Sequence, residues 1–353
     1  MFLRQIYLKH FRLFDELNLN LSKKTVLSGA NGSGKTTVLE AVNILLEGSS
    51  HRTKDNSECI TEGKGGFKLG LKGELGSKTI ILKATKTLNS RIAFERKKGV
   101  LDTEKKDLPV AINILASQLR MIEGEPELRR DFFNKTMFHV EHGSKKAYQE
   151  YHKALVQRNR ALKGRLPEKE LSIWTERLKQ TGAILNENHN SFFYKLSKSL
   201  TYSFKEKNLE KNLPFLKDIE INFYPGWSRE KELESLLHEN LNKDRAIGFT
   251  SSGPHRFDLN IRIRKKMAKS ILSRGQQKLL ILLIFLNTES LIIKENKGGT
   301  IFLIDDIASE MDKFNLEKVL EEIALMKSQT ILTTIIENRS DILRKFKQIN
   351  LEK

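Results

Sequence analysis

The 353-residue sequence has only one cysteine, Cys59, so it cannot form an internal disulfide bond. A lone thiol also excludes a zinc site built from several thiolates. Such sparing use of cysteine is typical of a reducing compartment. We therefore predict a cytoplasmic protein, associated with the nucleoid if its partner is chromosomal.

Long apolar runs are also missing. The longest, residues 279–286, falls far short of the ~18 residues that a membrane span needs, and it predicts a buried helix instead. Residues 1–9 alternate like a strand and lack the apolar core of a signal peptide. The sequence therefore predicts a soluble protein without a membrane partner.

Acidic residues are few relative to basic ones. The chain has 44 Asp and Glu against 62 Lys and Arg, which gives a formal net charge of +18. Such a surplus favours a polyanionic partner, with nucleic acid the first candidate and an anionic membrane the second. A highly charged but unspecific surface is the alternative.

The pattern of apolar residues predicts an α/β protein with two lobes, as the length also suggests. Residues 65–94 alternate in steps of two, which predicts an antiparallel meander. Between residues 143 and 204 glycine is scarce and apolar residues follow helical spacing, which predicts two antiparallel helices. Residues 244–256, which lie between two strand-like runs, predict a long polar loop. We expect residues 1–115 and 205–353 to form one head domain and residues 116–204 a helical lobe.

A phosphate-binding loop is predicted from the spacing of Gly, four residues, then Gly-Lys-Thr. A strand-like run precedes it and a helix-like run, residues 36–46, follows it, so backbone N–H groups and a helix N-terminus would point at a phosphate. Lys35 would reach the β- and γ-phosphates, and the Thr36 hydroxyl would ligate Mg²⁺. The candidate nucleotide-binding residues are Gly29, Ala30, Asn31, Gly32, Ser33, Gly34, Lys35, Thr36 and Thr37.

A second candidate element is an apolar strand, residues 300–304, that ends in two acids. Beside a phosphate loop, Asp305 would hold Mg²⁺, normally through water. Asp306 would polarise the attacking water and is the candidate catalytic residue. The alternative is a core strand followed by an acidic turn.

A third element precedes the apolar run 279–286. A serine cap, a glycine that allows close backbone approach and free N–H groups make a helix start that suits an anion. On its own the segment is equally typical of a capped, buried helix. Its residues are Ser273, Arg274, Gly275, Gln276 and Gln277.

These three elements occur in the order found in ABC-type ATPases of the SMC kind. Within that group the chain resembles the RecF family of bacterial recombination and gap-repair proteins. Four segments carry the resemblance: Gln157-Arg158-Asn159, Gly253-Pro254-His255-Arg256-x-Asp258, residues 273–278, and Ile304-Asp305-Asp306.

The resemblance implies an ABC-type ATPase head with a mixed sheet and a short helical lobe, using ATP and Mg²⁺. It implies a homodimer that forms on ATP binding, in which Ser273 and Gly275 of one subunit cap the γ-phosphate held by Lys35 of the other. It further implies that the dimer clamps double-stranded DNA at single-strand gap junctions. Partners implied in the same way are gapped DNA and RecR, acting with RecO to load the recombinase.

Three departures from the wider group predict slow hydrolysis, so that ATP acts as a timer. Asp306 stands where most ABC-type ATPases have Glu. The strand 330–334 ends in threonines where a switch histidine is usual. Gln118 is the candidate for the loop residue that faces the metal.

Other functions fit parts of the pattern. A long-armed SMC-type chromosome ATPase would need hundreds of heptad residues, and the helical segment here holds about two helices. A transporter's nucleotide-binding subunit and a non-catalytic binding module whose fold ATP only stabilises are further alternatives.

His152 and His189 have two alternative roles, as metal ligands or as histidines of the core or of the solvated surface. Among the basic residues, the densest cluster is Arg262, Arg264, Lys265, Lys266 and Lys269.

Overall fold

The computed structural model describes residues 1–98, 101–102, 104–206, 208–296, 298–335 and 340–351. The chain forms two compact units, which we call the head unit (Met1–Arg120 and Ser273–Lys353) and the middle unit (Met121–Leu272). The expected boundary near residue 116 is close to the observed one. The second boundary differs from the expected residue 204, because the strands between 219 and 267 form a separate sheet of their own.

The first part of the head unit is rich in strands. In chain order its elements are β1 (Phe2–Phe11), β2 (Phe14–Asn20), β3 (Lys24–Ser28), α1 (Lys35–Glu47), β4 (Gly66–Leu75), β5 (Lys78–Thr87), β6 (Ala93–Lys98), β7 (Leu101–Asp102) and β8 (Val110–Ile114).

The middle unit is mostly helical. Its elements are α2 (Pro126–Val140), α3 (Ser144–Lys163), α4 (Glu168–Thr201), α5 (Leu209–Asn212), β9 (Ile219–Tyr224), α6 (Leu233–Glu239), α7 (Leu241–Ile247), β10 (Asp258–Ile263) and β11 (Lys266–Met267).

The chain then returns to the head unit. There it forms α8 (Arg274–Glu295), β12 (Thr300–Ile304), α9 (Lys313–Leu325), β13 (Gln329–Thr334), α10 (Asp341–Arg344) and β14 (Lys347–Asn350).

The head unit contains two sheets. One is antiparallel with the order β2-β1-β4-β5-β6-β7, and Leu8 of β1 lies opposite Leu17 on one side and Leu69 on the other. It contains the β1–β2 hairpin and confirms the predicted meander. The other sheet is parallel with the order β14-β3-β13-β12-β8. Because its strands run in one direction, their carboxyl ends share one edge, where ligands bind in sheets of this kind.

Helix α1 is buried on all sides. Every residue from Thr37 to Leu46 is buried, since α1 contacts strands of both sheets. The one carboxylate in this stretch, Glu40, is paired with Arg12 of the β1–β2 turn at 2.7 Å and 3.0 Å. Burial alone would raise the pKa of Glu40, but the hydrogen bonds from Arg12 and Ser50 outweigh it and lower the pKa below its ordinary value.

Helix α8 confirms the buried helix predicted from residues 279–286, all of which are buried. Among the described residues it is the one helix long and apolar enough to cross a membrane, with a mean hydropathy of 1.3 over its apolar window. Two thirds of that window (67%) is buried inside the protein, as in the core helix of a globular fold.

The middle unit contains the predicted helix pair, because α3 and α4 pack against each other. His189 of α4 lies in an aromatic cluster, with its ring 4.5 Å from that of Phe257 and 5.6 Å from that of Phe133. Burial lowers the pKa of His189 to about 3. His189 is buried and its Nε2 lies 3.2 Å from Oδ1 of Asn134, so it is a core histidine.

One prediction in the middle unit is wrong. Residues 244–256 do not form a continuous loop, because α7 extends to Ile247 and only the part after Gly248 is irregular. The reason is Asp244, which is fully buried and accepts a hydrogen bond from the equally buried Arg158 at 2.8 Å. A partner distant in sequence thus converts an apparently polar loop into a helix that is held against α3.

Candidate nucleotide-binding site

The predicted phosphate loop joins β3 to α1 at the carboxyl edge of the parallel sheet. Gly34 is the N-cap of α1, with a φ of 95°, and a Cβ at that position would collide with the ring of Phe14. Position 34 therefore requires glycine for two reasons, the backbone conformation and the close approach of the Phe14 ring. The loop ends at the N-terminus of α1, a helix of 13 residues. A loop that leads into a helix N-terminus is the geometry that binds phosphate groups.

Two side chains of the loop are placed for an anionic ligand. Lys35 donates from Nζ to the carbonyl oxygens of Gly29 at 2.7 Å and Ala30 at 2.8 Å, so its ammonium group lies against the loop. The Ser33 hydroxyl is buried and has no hydrogen-bond partner among the residues that the structure describes. Buried polar atoms are almost always satisfied, so this hydroxyl is a spare donor inside the loop. Asn31 and Gly32 are exposed, and Thr37 is buried at the start of α1.

Thr36 and Asp305 lie together, although 269 positions separate them in the sequence. The Thr36 hydroxyl is 3.0 Å from each carboxylate oxygen of Asp305, which follows β12 directly. Hydroxyl and carboxylate oxygens suit Mg²⁺, which keeps several ligands from water and substrate phosphates. The residues present therefore fit the predicted metal, which Thr36 and Asp305 would hold.

A third residue at this edge, Thr333 of β13, was not predicted to act here. Its hydroxyl donates to Asp305 Oδ1 at 2.8 Å and accepts from the backbone N–H of Asp306 at 2.8 Å. Asp306 has a φ of 49°, a conformation that a non-glycine residue adopts only when its surroundings hold it there. Thr333 thus fixes both acids. The available signal was the pair of threonines, Thr333 and Thr334, at the end of a buried strand.

The other metal-site candidate, Gln118, lies just after β8 in a short 3₁₀ turn. It is buried, and its Oε1 accepts a hydrogen bond from the backbone N–H of Leu115 at 3.1 Å. Because β8 is the neighbour of β12 in the parallel sheet, Gln118 follows the same edge as Asp305.

The predicted anion-binding helix start is the N-terminus of α8. Ser273 is its N-cap and forms a capping box with Gln276, in which each side chain accepts from the other's backbone N–H. Ser273 and Arg274 are exposed, whereas Gly275 and Gln277 are buried. A Cβ on Gly275 would lie 3.0 Å from the carbonyl oxygen of Glu310, so the glycine allows close approach to the segment after β12.

Lys278 is a second residue that the sequence did not single out. It is buried, and its Nζ donates to the carbonyl oxygens of Asp306 at 2.8 Å and Ser309 at 2.7 Å and to the Ser309 hydroxyl at 2.9 Å. Burial lowers its pKa to about 8. Lys278 therefore ties the first turn of α8 to the turn that carries Asp306. The sequence signal was a lysine in the first turn of an apolar helix.

The fold and this arrangement define an ABC-type ATPase head. A solved structure of the recombination mediator protein RecF-ATP in the RecFOR pathway matches with a TM-score of 0.77 and 21% identity, over 96% of this chain and 93% of its own. An Smc head bound to the C-winged helix domain of ScpA matches with a TM-score of 0.56 and 14% identity, over 99% and 94%. The predicted fold class is confirmed.

Sequence comparison identifies the family of the chain within this class of ATPases. The family model of the RecF/RecN/SMC N terminal domain matches residues 2–353. The DNA replication and repair protein RecF of Nitrosococcus oceani is 30% identical over 97% of this chain and 94% of its own. RecF of Pseudoalteromonas translucida is 30% identical over 95% and 92%. The chain therefore belongs to the RecF family.

Proposed function

We propose that the protein is an ATP-dependent DNA-binding protein of DNA replication and recombinational repair. The observation that carries the proposal is the convergence of Thr36, Asp305 and Thr333 beside the phosphate loop, at one edge of the parallel sheet. This is the arrangement that a nucleoside triphosphate and its metal require.

Each residue of the site has a proposed role in hydrolysis. The loop N–H groups and Lys35 bind the phosphates, and Thr36 with Asp305 would hold Mg²⁺, which when bound would supply positive charge beside the phosphates. Asp306 accepts a proton from the attacking water. Thr333 keeps both acids in position through its hydroxyl. Because Asp306 reaches one methylene less far than Glu, hydrolysis is slow and serves as a timer.

The complete site is proposed to need two copies of the chain. Ser273 and Arg274 are exposed at the start of α8, and the N-terminus of a helix favours an anion. In the proposed homodimer, residues 273–277 of one subunit cap the γ-phosphate that Lys35 of the other holds. ATP binding thereby joins two heads.

The proposed partner of the ATP-bound dimer is duplex DNA at a single-strand gap junction, in the cytoplasm and at the nucleoid. The net charge of +18 and the RecF relatives, described as DNA replication and repair proteins, support a nucleic-acid partner. RecR, acting with RecO, is the proposed protein partner, because the similar solved structure is described as part of the RecFOR pathway.

The test is the affinity for a fluorescent gapped duplex, measured with ATP and without it. The proposal expects tight binding only with ATP, and the Lys35→Met variant should bind equally weakly under both conditions because its loop cannot hold the nucleotide. Equal binding by the wild type with and without ATP would refute the proposal.

A further inference from the structure

Two segments of the family resemblance that the nucleotide site does not use, residues 157–159 and 253–258, both contact Thr250 inside the middle unit. Asn159 accepts hydrogen bonds at 2.8 Å from both the backbone N–H and the hydroxyl of Thr250. Its neighbour Arg158, fully buried, donates to Thr250 Oγ1 and to Asp244, each at 2.8 Å. Asp244 in turn accepts from the backbone N–H of Ser251 at 3.0 Å. The start of the loop 249–256 is therefore fixed to α3 and α7.

The end of the same loop is fixed in a similar way. His255 donates from Nε2 to the carbonyl of Thr250 at 3.1 Å and accepts at Nδ1 from the Tyr151 hydroxyl at 2.7 Å. Gly253 has a φ of 139°, and a Cβ there would lie 2.7 Å from the same hydroxyl. The hydrogen bonds at both ends hold this loop in one conformation. Burying the Arg158–Asp244 ion pair and His255 costs desolvation energy, so this conformation has a cost to stability.

What this rigid loop presents to solvent is Arg256. Its side chain is exposed, and its guanidinium lies 5.4 Å from the ring centroid of Phe249, which is itself 39% exposed. Across the part of the chain that the structure describes, no carboxylate forms an ion pair with Arg256. The loop thus displays a cation on an aromatic ring.

A second guanidinium lies close to the first. Arg130 of α2 is half-buried and donates from Nη1 to the carbonyl of Phe257, the residue after Arg256, at 3.3 Å. The next carboxylate, Asp258, is engaged by Arg129 through two hydrogen bonds of 2.6 Å and 3.0 Å. Burial lowers the pKa of Arg130; the charges of Asp258 and Glu127 oppose that effect, and those of Arg256 and Arg129 add to it. Within the described residues neither Arg130 nor Arg256 forms an ion pair with a carboxylate.

An anion can pair with both guanidinium groups, and a phosphate matches the planar fork of a guanidinium. Phe249 adds an exposed apolar surface beside Arg256 for a sugar or base. We propose that Arg130 and Arg256, with Phe249 beside them, form a contact of the middle unit for backbone phosphates of duplex DNA. This inference rests on the proposed function and names the residues that carry part of it.

The experiment measures duplex affinity of the full chain, with a non-hydrolysable ATP analogue, across a series of salt concentrations. The double variant Arg130→Gln and Arg256→Gln should bind more weakly at low salt. Each lost phosphate contact lowers the slope of log affinity against log salt by ~0.9, so the double variant should lose about two. The matched control is Arg264→Gln, an exposed arginine of the same unit that is paired with Asp218 at 2.7 Å and should change neither quantity.

Nucleotide binding and ATP-dependent dimerisation, measured on the same samples, should match the wild type. If the double variant does not fold, Arg256→Gln alone gives the same test with a slope change of about one, since that side chain is exposed. Wild-type affinity and slope in the variants would overturn the inference, and so would a loss of dimerisation, which would place the pair at a subunit interface. Absence of DNA binding by the wild type would instead overturn the proposed function.

Discussion

At the scale of single residues, one hydroxyl connects both acids of the site. Thr333 donates to Asp305 and accepts from the backbone of Asp306, which holds a left-handed backbone conformation. Its side chain is buried, so water cannot replace these bonds. We infer that the positions of the metal ligand and of the proposed base depend on Thr333 as much as on their own strand.

Thr333→Val tests this role, because valine has nearly the same shape and lacks the hydroxyl. Leaving a buried N–H unsatisfied costs about 1–3 kcal/mol, so kcat for ATP hydrolysis should fall roughly 10- to 100-fold. ATP affinity should change little, because Lys35 and the loop are untouched. The neighbouring Thr334→Val is the matched control and should retain the wild-type kcat. Equal kcat values in the two variants would refute the role of Thr333.

At the scale of elements, the first turn of α8 connects two functions. Its N-cap Ser273 is exposed for a ligand, whereas Lys278 reaches the backbone of Asp306 and Ser309. A ligand bound at the N-terminus of α8 would thus lie about one helical turn from Lys278, which contacts the segment that carries the proposed base, Asp306.

Lys278→Met should therefore lower kcat, by roughly 10-fold or more, while the affinity for ATP stays close to the wild type. The physical reason is the loss of three hydrogen bonds that fix the segment after β12. Lys278→Arg retains the charge and donors and should recover part of the rate. A fall in ATP affinity as large as the fall in kcat would mean that Lys278 only supports the fold.

Ser273→Arg tests the same helix start from outside. The larger, charged side chain should block capping of the partner's nucleotide while each monomer still binds ATP. Gel filtration with ATP should then show monomers, with nucleotide affinity measured separately as the control. A normal ATP-dependent dimer would show that the start of α8 does not act across subunits.

The aromatic cluster of the middle unit predicts a stability that depends on pH. Burial lowers the pKa of His189 to about 3 and that of His255 to about 4, both below the ordinary value of about 6.5. The unfolded chain therefore binds protons first as the pH falls. Each histidine contributes stability that is complete above pH ~6.5 and is lost toward its folded pKa, at up to ~1.4 kcal/mol per pH unit.

His189→Phe should remove one of these contributions. The ring would remain among Phe133, Phe223 and Phe257, and the unpartnered Nδ1 of His189 would be lost. Between pH 7 and pH 5 the free energy of unfolding should then fall by about 2 kcal/mol less than in the wild type, as measured by urea titration. The exposed His238→Gln is the control. An unchanged pH dependence in His189→Phe would contradict the assignment.

At the scale of the whole molecule, the local parts of the fold were predictable and the long-range parts were not. The spacing of Gly29, Gly34 and Lys35 predicts a loop because neighbouring residues determine it. By contrast, the role of Thr333 depends on β13 lying between β3 and β12, and strand order is not encoded in local periodicity.

The middle unit illustrates the same limit. The alternation of β9 and β10 predicts strands equally well in any sheet, so the sequence could not exclude them from the head unit. Their pairing, Ile221 opposite Ile261, assigns them to a three-stranded sheet of the middle unit. Asp244 was assigned to a loop because its partner Arg158 lies 86 positions away.

The central claim is that ATP joins two copies of the chain on DNA. Analytical ultracentrifugation of the wild type and Asp306→Asn, with and without ATP and a gapped duplex, tests it most directly. We expect monomers without ATP and a DNA-bound dimer with ATP. In Asp306→Asn the dimer should persist longer, because loss of a general base slows turnover on the order of 10²–10⁴-fold. Sedimentation that is the same with and without ATP would contradict the account.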